Sequence, residues 1–552
     1  MSGALEGLLP AHPNNHAAPN PDHDSDASSS TAVDPHSPNS LKAMDSPPAN
    51  GAATNGSAKP MPHRKNSSPL MPPFMVSAPG KVIVYGEHAV VHGKVGHFHP
   101  AAIAAAISLR SYLLVTFLSK SKRTVSLRFP DIDLNHSWKI DDLPWAVFST
   151  PGKKKSYYDL VTSLDPEFVD SLQPHIKAVS PDQPEHIRKI HQASASAFLY
   201  LFLSLGSQQS APCIYTLRST IPIGAGLGSS ASIAVCLAAS LLLQIRALSG
   251  PHPDQPSQES ELQIERINRW AFVAEMCIHG NPSGVDNTVS SGGKAVLFQR
   301  KDYSKPPVVT PLRDFPELPL LLVNTRQSRS TATEVAKVAN LRNAHPIIAE
   351  QLLNAINDVT ESAHKLISDE DFDPKDPASL KHLGELITIN HGLLVSLGVS
   401  HPKLERIRAL IDHAGIGWTK LTGAGGGGCA ITILKPEISS RPVSRHNSVS
   451  VADGFDLKAG RKSPTLVDLE KKLAAEGFEQ FETTLAGDGV GVLWPAVLHN
   501  NSGEEGGEDI DQDKFLNAEG NEGIEKLVGV NMALSDGEGN AGYREGWKFW
   551  RP

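Results

Sequence analysis

The stretch STIPIGAGLGSSASIAVCLAASLLL, residues 219–243, decides how this chain is interpreted. Three glycines alternate with other residues, two serines follow, and a mostly apolar run continues from them. The pattern predicts a glycine loop that opens the N-terminus of a buried helix, where backbone N–H groups and the positive end of the helix dipole bind phosphate. A glycine turn that packs closely under a helix explains the same residues, so both interpretations stay open.

The loop lacks the cation of the common nucleotide-binding sequence G-x-x-x-x-G-K-[ST], because serine rather than lysine follows its last glycine, Gly228. A replacement stands in APGKVIVYGEH, residues 78–88, where Lys81 heads an apolar run. The Ala-Pro-Gly before it predicts a turn between two short strands, and a lysine after such a turn is well placed to point into a cleft. A lysine on the solvated surface is the alternative.

Two carboxylates lie in EMCIHGNPSGVDNTVSSGG, residues 275–293. Glu275 falls on the last turns of a predicted helix, and Asp286 falls in a loop rich in small residues. A carboxylate in such a loop can act as a general base toward a hydroxyl, whereas one on a helix can hold a metal ion. The alternatives are a turn-forming aspartate and a glutamate on a solvated helix face.

A second glycine-rich stretch, TGAGGGGCAITIL at residues 422–434, contains the spacing G-x-G-x-x-G. A dinucleotide site of that kind needs a helix after the glycines, but the residues that follow them here predict a strand. We interpret the stretch as a glycine loop that lines the other side of a cleft.

Composition excludes several classes of function. The formal net charge of −8 and the isoelectric point near 6.3 argue against nucleic acid or an anionic membrane as a partner. The first residues lack the pattern of a signal peptide, and no stretch is apolar enough for a membrane span, so we expect a cytoplasmic location. The four cysteines show neither zinc-site nor disulfide-framework spacing.

The chain divides into segments of different composition. Residues 1–70 and the acidic tail 499–552 are predicted to be disordered, the tail for the most part. Between them we expect a first domain at 74–316 and a second at 317–498, with a low-complexity insert at 435–465. Strands and helices do not alternate in regular order, which predicts an α+β architecture in two lobes.

Taken together, PIGAGLGSSAS, APGKVIVYGEHAVVHGK and LTGAGGGGCAI resemble the three signatures of the GHMP small-molecule kinases. Within that superfamily, GEHAVVHGK together with HGNPSGVDN is similar to the mevalonate kinase family, over roughly residues 74–496. The resemblance implies an N-terminal lobe with the ribosomal protein S5 domain 2-like fold, a ferredoxin-like C-terminal lobe, and ATP between them. It also implies Mg²⁺-dependent transfer of the ATP γ-phosphate to the C5 hydroxyl of mevalonate, for isoprenoid and sterol biosynthesis, by a homodimer.

The resemblance also implies roles for individual residues. Asp286 is the base and Lys81 the missing cation, and Ser230 and Glu275 are ligands of Mg²⁺. The implied ATP-binding residues are Lys81, Ser219, Gly224, Ala225, Gly226, Leu227, Gly228, Ser229 and Ser230. The residues implied near the substrate or the γ-phosphate are His88, Arg329, Thr331 and Gly425. Asp131 stands where the family often has asparagine, so its role near the nucleotide stays open.

Two other interpretations and one departure accompany the resemblance. A sugar kinase of the same superfamily is one alternative, although galactokinases carry an acidic residue after GEH where this chain has Ala89-Val90. A catalytically inactive ligand sensor is the other, although such a protein is expected to lose Asp286, Lys81 or a metal ligand. The departure is VGHFHP at residues 95–100, which predicts an exposed bulge or reflects retained intron sequence, rather than a metal site at its histidines.

Overall fold

The computed structural model describes residues 71–93, 99–301, 307–435, 464–498, 507–535 and 541–551. The predictions for 1–70, for most of the insert 435–465 and for most of 95–100 concern residues outside these ranges. Contacts group the chain from Ser68 onward into one unit. The boundary predicted between residues 316 and 317 therefore stays a prediction.

Helices and strands are mixed along the first part of the chain. The strands are β1 (Phe74–Tyr85), β2 (Ala101–Phe117), β3 (Thr124–Phe129), β4 (Leu134–Lys139), β5 (Cys213–Ser219), β6 (Ala295–Gln299) and β7 (Val308–Leu312). The helices are α1 (Ala89–His92), α2 (Trp145–Phe148), α3 (Pro166–Lys177), α4 (Glu185–Leu205), α5 (Ser229–Gln244), α6 (Ser257–His279) and α7 (Val285–Gly292).

The second part of the chain continues the mixture, and the α+β prediction is confirmed. Its strands are β8 (Leu318–Asn324), β9 (Gly417–Leu421), β10 (Cys429–Leu434), β11 (Glu479–Leu485), β12 (Gly491–Leu493), β13 (Val497–Leu498), β14 (Glu508–Asp509), β15 (Val530–Ser535), β16 (Ala541–Arg544) and β17 (Lys548–Phe549). Its helices are α8 (Thr331–Ala344), α9 (Pro346–Ile367), α10 (Pro377–Ser396), α11 (Pro402–Ala414), α12 (Pro464–Ala475), α13 (Gln512–Leu516) and α14 (Gly520–Leu527).

Most of the described strands belong to one 13-stranded sheet, whose main path is β17-β12-β1-β2-β11-β8-β10-β9. Strand β2 also pairs with β5 and β6, so it organises the first part of the chain. The two parts meet where β11 joins β2 through the register pair Leu485 and Ile107. The hydroxyl of Thr422 adds a second connection, since it accepts from the N–H of Ile83 at 3.1 Å and donates to its carbonyl at 2.8 Å.

Helix α5 is the centre of the first hydrophobic core. Its sixteen residues are mostly alanine, leucine and other small or apolar types, and twelve of them are buried. A helix that is apolar on every face must be covered on every face. Strands β1 and β2 cover one side of α5 and helix α6 the other, and the glycine loop before α5 contacts β1 through the bond from the N–H of Lys81 to the carbonyl of Leu227.

Two local predictions near the site are wrong. Ala78-Pro79-Gly80 is not a turn between two strands, because β1 runs through it with a register shift between Pro79 and Lys81. A bulge tolerates proline, which has no N–H for the sheet. Asp286 is not in a loop either, because it lies in the first turn of α7. The local sequence shows a stretch rich in small residues, but it does not show the packing that makes Val285–Gly292 helical.

The prediction of a mostly disordered tail is wrong for residues 507–535 and 541–551. Strand β17 pairs with β12 at the edge of the sheet. Phe515, Trp547 and Trp550 are buried, with exposures of 0%, 8% and 1%. The acidic composition hid these anchors, because a few large aromatic side chains bury enough apolar area to order a polar segment.

Replacement of Trp550 by alanine should destabilise the protein by about 3–5 kcal/mol, since it removes a buried indole and leaves a cavity. The indole Nε1 also donates to Gln263 at 3.0 Å. Lys548→Ala, at an exposed position of β17 just before Trp550, should change the free energy of unfolding by less than about 0.5 kcal/mol. Urea unfolding of both variants is the measurement, and equal midpoints would show that the tail is not docked.

Candidate active site

Lys81 is placed by the bulge in β1. Its backbone N–H donates to the carbonyl oxygen of Leu227 at 2.8 Å, which fixes the strand against the glycine loop. Its side chain is 9% exposed, and Nζ lies 3.1 Å from Oδ1 of Asp286. The residue before it has to be glycine, because a Cβ on Gly80 would lie 2.9 Å from that same carbonyl oxygen.

Asp286 receives its position from helix α7. The helix follows Gly284, whose φ of 81° suits glycine, and Asp286 is the acidic residue of its first turn. Its carboxylate is paired with Lys81, and because 35% of the side chain is exposed, it can still be reached from the cleft.

The glycine loop joins this ion pair to helix α5. Gly224, Gly226 and Gly228 have φ of 73°, 80° and 71°, a conformation that residues with a Cβ rarely adopt. Gly228 is the N-cap of α5. A Cβ on it would lie 3.0 Å from Cγ of Lys81 and 3.7 Å from Oδ2 of Asp286. The N-terminus of α5, with its unpaired N–H groups, therefore opens directly beside the cation.

Glu275 lies on α6 and faces the start of α5. It is 4% exposed, and its Oε2 accepts from the hydroxyl of Ser230 at 3.4 Å. Its Oε1 is buried without a hydrogen-bond partner. Burial, and then the charge of Asp286, raise the pKa of Glu275 to about 7. A buried carboxylate that lacks a partner is costly, and a divalent cation would remove that cost.

These groups fit Mg²⁺, which prefers oxygen ligands. Within the described ranges, no group of three or more histidine, cysteine or acidic side chains is arranged to hold a metal ion. Ser230 and Glu275 would thus be the two ligands from the protein. That is a suitable number for Mg²⁺ bound to nucleotide, since it keeps several waters and takes the remaining oxygens from phosphate.

Arg329 lies between the two glycine loops. Its guanidinium donates to the carbonyls of Ala225 and Gly425, each at 3.5 Å. A Cβ on Gly226 would lie 2.0 Å from its Nη2, and one on Gly428 would lie 2.6 Å from its Nε. Glycine on both sides makes room for a second cation at the mouth of the phosphate loop, and burial lowers the pKa of Arg329.

His88 and Thr331 lie on other elements, and only His88 has a described contact with a glycine loop. The ring of His88 is buried, and burial lowers its pKa. Its Nε2 lies 3.0 Å from the carbonyl oxygen of Ala424 in the second glycine loop. In the neutral ring Nε2 then carries the hydrogen and Nδ1, which is buried without a partner, is an acceptor. Thr331 is the first residue of α8 and is exposed.

Ser219 and Asp131 lie at the root of the phosphate loop. Asp131 accepts from the N–H of Ser219 at 2.7 Å through Oδ2, and from Nε of Arg218 at 2.8 Å through Oδ1. Both of its oxygens are thus engaged by β5. The hydroxyl of Ser219 accepts from the N–H of Ile221 at 3.2 Å and lies 3.1 Å from the hydroxyl of Ser111.

Comparison with known proteins identifies the family. Residues 194–294 match the family described as "GHMP kinases N terminal domain", and residues 378–446 match "GHMP kinases C terminal". A mevalonate kinase of Gibberella zeae is 64% identical over 89% of this chain and 90% of that protein. One of Aspergillus fumigatus is 65% identical over 88% of this chain and 84% of that protein. The chain belongs to the mevalonate kinase family.

Membership of the mevalonate kinase family decides against the sugar-kinase alternative. The human mevalonate kinase is 35% identical over 69% of this chain and 91% of its own length. The crystal structure of the Methanococcus jannaschii mevalonate kinase has a TM-score of 0.50 at 21% identity and covers 76% of this chain and 99% of that one. At that identity the likeness concerns the fold alone, and the predicted two-lobed GHMP kinase fold is confirmed.

Sequence reasoning missed a buried charged cluster under His88. Glu87 forms an ion pair with Lys420, and its Oε2 accepts from Nδ2 of Asn390 at 3.0 Å. Lys420 and Glu87 are 0% and 1% exposed, and burial lowers the pKa of Lys420. The pair links the end of β1 to β9 and α10. The two residues are too far apart in sequence for any local pattern to connect them.

A large cavity lies apart from this site. It has a volume of about 1210 Å³ and lies between β11, α7 and the tail, with Arg110, Asp488, Glu525 and Arg544 in its wall. Neither Lys81 nor the glycine loop 224–230 lines it.

Gly226→Ala should lower kcat/KM for ATP by roughly 10- to 100-fold more than Gly224→Ala, because its Cβ displaces the guanidinium of Arg329. Gly224 has a similar φ but no heavy atom within 4 Å of its Cβ position. The pair therefore separates displacement from backbone strain. Steady-state kinetics with varied ATP and a saturating second substrate measure the difference. Equal losses of kcat/KM in the two variants would show that Arg329 is not part of the proposed phosphate site.

Glu275 should make the metal-free protein less stable as the pH rises. Its folded-state pKa of about 7 lies above its ordinary value of 4.5, so the stabilising proton is fully present below pH 4.5 and is lost as the pH passes 7. Relative to Glu275→Gln, wild type should lose up to roughly 3 kcal/mol over that range. Urea unfolding of both proteins at several pH values without divalent ions checks this. Parallel curves would contradict it.

Proposed function

We propose that this chain transfers the γ-phosphate of ATP to the C5 hydroxyl of mevalonate, giving 5-phosphomevalonate and ADP. Family membership supports the reaction, and one geometric observation supports the site: Nζ of Lys81 lies 3.1 Å from Asp286 at the N-terminus that Gly228 caps. Cation, carboxylate and phosphate loop thus share one location. A catalytically inactive member of the family would be expected to lose one of the three.

Asp286 is the proposed general base. An alcohol is a poor nucleophile at neutral pH, so its proton has to move to an acceptor as the oxygen attacks the phosphorus. The half-exposed carboxylate of Asp286 is positioned for that proton. Lys81 orients the carboxylate through the ion pair, and its ammonium group would lie where negative charge develops on the transferred phosphoryl group.

The glycine loop is the proposed phosphate cradle. Residues 224–230 present backbone N–H groups at the start of α5, and the absence of side chains at three positions lets phosphate oxygens approach closely. Ser230 and Glu275 would hold Mg²⁺, which neutralises charge on the phosphates when it is bound. Phosphoryl transfer depends mainly on positioning and electrostatic stabilisation, and this arrangement supplies both.

Residues across the cleft are proposed to orient the reacting groups. Arg329 contacts carbonyls of both glycine loops, so it would face the γ-phosphate from the side opposite α5. The Nδ1 acceptor of His88 would receive a hydrogen bond from a substrate hydroxyl. Gly425 and Thr331 would complete the substrate side. A homodimer, a cytoplasmic location and a place in isoprenoid and sterol biosynthesis are proposed from the family resemblance.

Asp286→Asn and Lys81→Met should each lower kcat by about 10² to 10⁴, because each removes a group that acts on the transferring proton or phosphoryl charge. A matched control is Asp141→Asn, which breaks the exposed ion pair with Arg123 and should leave kcat within about twofold. The assay measures ADP release by each variant in the presence of mevalonate, ATP and Mg²⁺.

A panel of other alcohols tests the substrate in the same assay. Wild type should release ADP with mevalonate and not with galactose or phosphomevalonate. Full activity of Asp286→Asn would show that Asp286 is not the general base. Preference for another alcohol would show that mevalonate is not the substrate.

A further inference from the structure

The root of the proposed phosphate loop 224–230 is the short segment 218–220. Strand β5 ends at Ser219, Thr220 follows, and Gly224 comes four residues after Thr220. Ser219 is held by Asp131, and Thr220 makes three hydrogen bonds with the backbone of Arg110, two at 2.9 Å and one at 3.1 Å. Whatever holds residues 218–220 therefore determines where the loop starts.

Arg218 connects this root to the C-terminal tail. Its Nη1 donates to the carbonyls of Phe515 and Leu516, at 2.9 and 2.8 Å, and its Nη2 donates to the carbonyl of Ala518 at 2.8 Å. These carbonyls lie at the end of α13, where helix carbonyls have no partner within the helix. Since Nε is bound to Asp131, the guanidinium joins β5, Asp131 and the tail in one cluster. Arg218 is 7% exposed.

A second, independent contact reaches the loop root from the tail. Nδ2 of Asn521, near the start of α14, donates to the carbonyl oxygen of Thr220 at 2.9 Å. Thr220 is thus fixed on one side by β2 and on the other by the tail. The carbonyl that Asn521 binds belongs to Thr220, four residues before Gly224, where the phosphate loop begins.

The tail that makes these contacts is anchored elsewhere. Strand β17 adds to the sheet edge at β12, and Trp550 is buried and donates to Gln263. Loss of a contact at Arg218 or Asn521 therefore leaves the anchor in place. The effect on the loop can then be separated from undocking of the tail.

We propose that the C-terminal segment 511–521 positions the phosphate loop for nucleotide, with Arg218 and Asn521 as the positioning residues. The proposal rests on the proposed function insofar as the loop binds ATP. A loop whose root is already fixed loses less conformational freedom when nucleotide orders it, so its affinity is higher. The tail thus belongs to the nucleotide site of this chain, although its residues touch no phosphate.

The sharpest test compares two asparagines of the same segment. Asn521→Ala removes the bond to Thr220, whereas Asn517→Ala removes a bond to the carbonyl of Asp513 within the tail. Loss of one hydrogen bond corresponds to a change of about 2- to 10-fold. We expect Asn521→Ala to raise KM for ATP and Kd for ADP by that factor, with KM for mevalonate and the melting temperature close to those of Asn517→Ala.

Arg218→Lys provides a second variant, because one ammonium cannot reach Asp131 and three carbonyls together. Its control is Arg123→Lys, since Arg123 also joins a carboxylate, Asp141, to a carbonyl, that of Gln208, but at the start of β3. We expect KM for ATP to rise in Arg218→Lys alone. A purely structural role would instead lower the melting temperature without separating the two KM values.

ADP binding without mevalonate, followed by fluorescence titration, keeps this proposal distinct from the reaction itself. Weaker ADP binding in Asn521→Ala supports the positioning role even if wild type phosphorylates another alcohol. Equal Kd values for Asn521→Ala and Asn517→Ala would overturn it, even if wild type phosphorylates mevalonate as proposed.

Discussion

The contact between β1 and the glycine loop is the constraint on which the site depends. The N–H of Lys81 donates to Leu227, and the same residue sends its ammonium to Asp286. Lys81 therefore connects β1 both to the glycine loop and to helix α7. The register shift between Pro79 and Lys81 leaves the N–H of Lys81 bonded to Leu227, and Gly80 allows the close approach. Without this contact the cation, the phosphate loop and the carboxylate would have no common position.

Two sets of buried charges lie near this contact and differ in how they are paired. Glu87 and Lys420 form a closed pair, in which each charge has an opposite charge as its partner and Asn390 donates to the other oxygen of Glu87. Glu275 is different, since one of its oxygens has no partner and its pKa is raised to about 7. A closed pair serves structure, whereas the unsatisfied carboxylate of Glu275, beside the N-terminus of α5, suits the proposed role of metal ligand. Within one small region, the fully paired charges thus have a structural role, whereas the partly unpaired carboxylate is suited to bind a ligand.

Much of the fold was predictable, because long elements carry strong periodic or apolar signals. The buried helix after the glycine loop followed directly from its apolar run. The errors fell where tertiary contacts outweigh local preference. Pro79 signals a turn but is accommodated by a bulge, the small residues around Asp286 form a helix, and an acidic tail is ordered by its buried aromatic residues. Among the site residues, local patterns indicated those near glycine, whereas Glu87, Lys420 and Arg218 gave no local signal.

The chain itself shows the chemical types: a glycine loop before an apolar helix, a lysine ahead of an apolar run, and two carboxylates within residues 275–293. Each of these patterns lies in a short stretch, so it is visible without folding. Folding is what brings Lys81 to Asp286 beside Gly228, places Arg329 between two glycine loops, and brings Asn521 of the tail to Thr220. Those distances join residues up to three hundred positions apart, and they are set by sheet register and core packing rather than by any neighbouring residues in the chain.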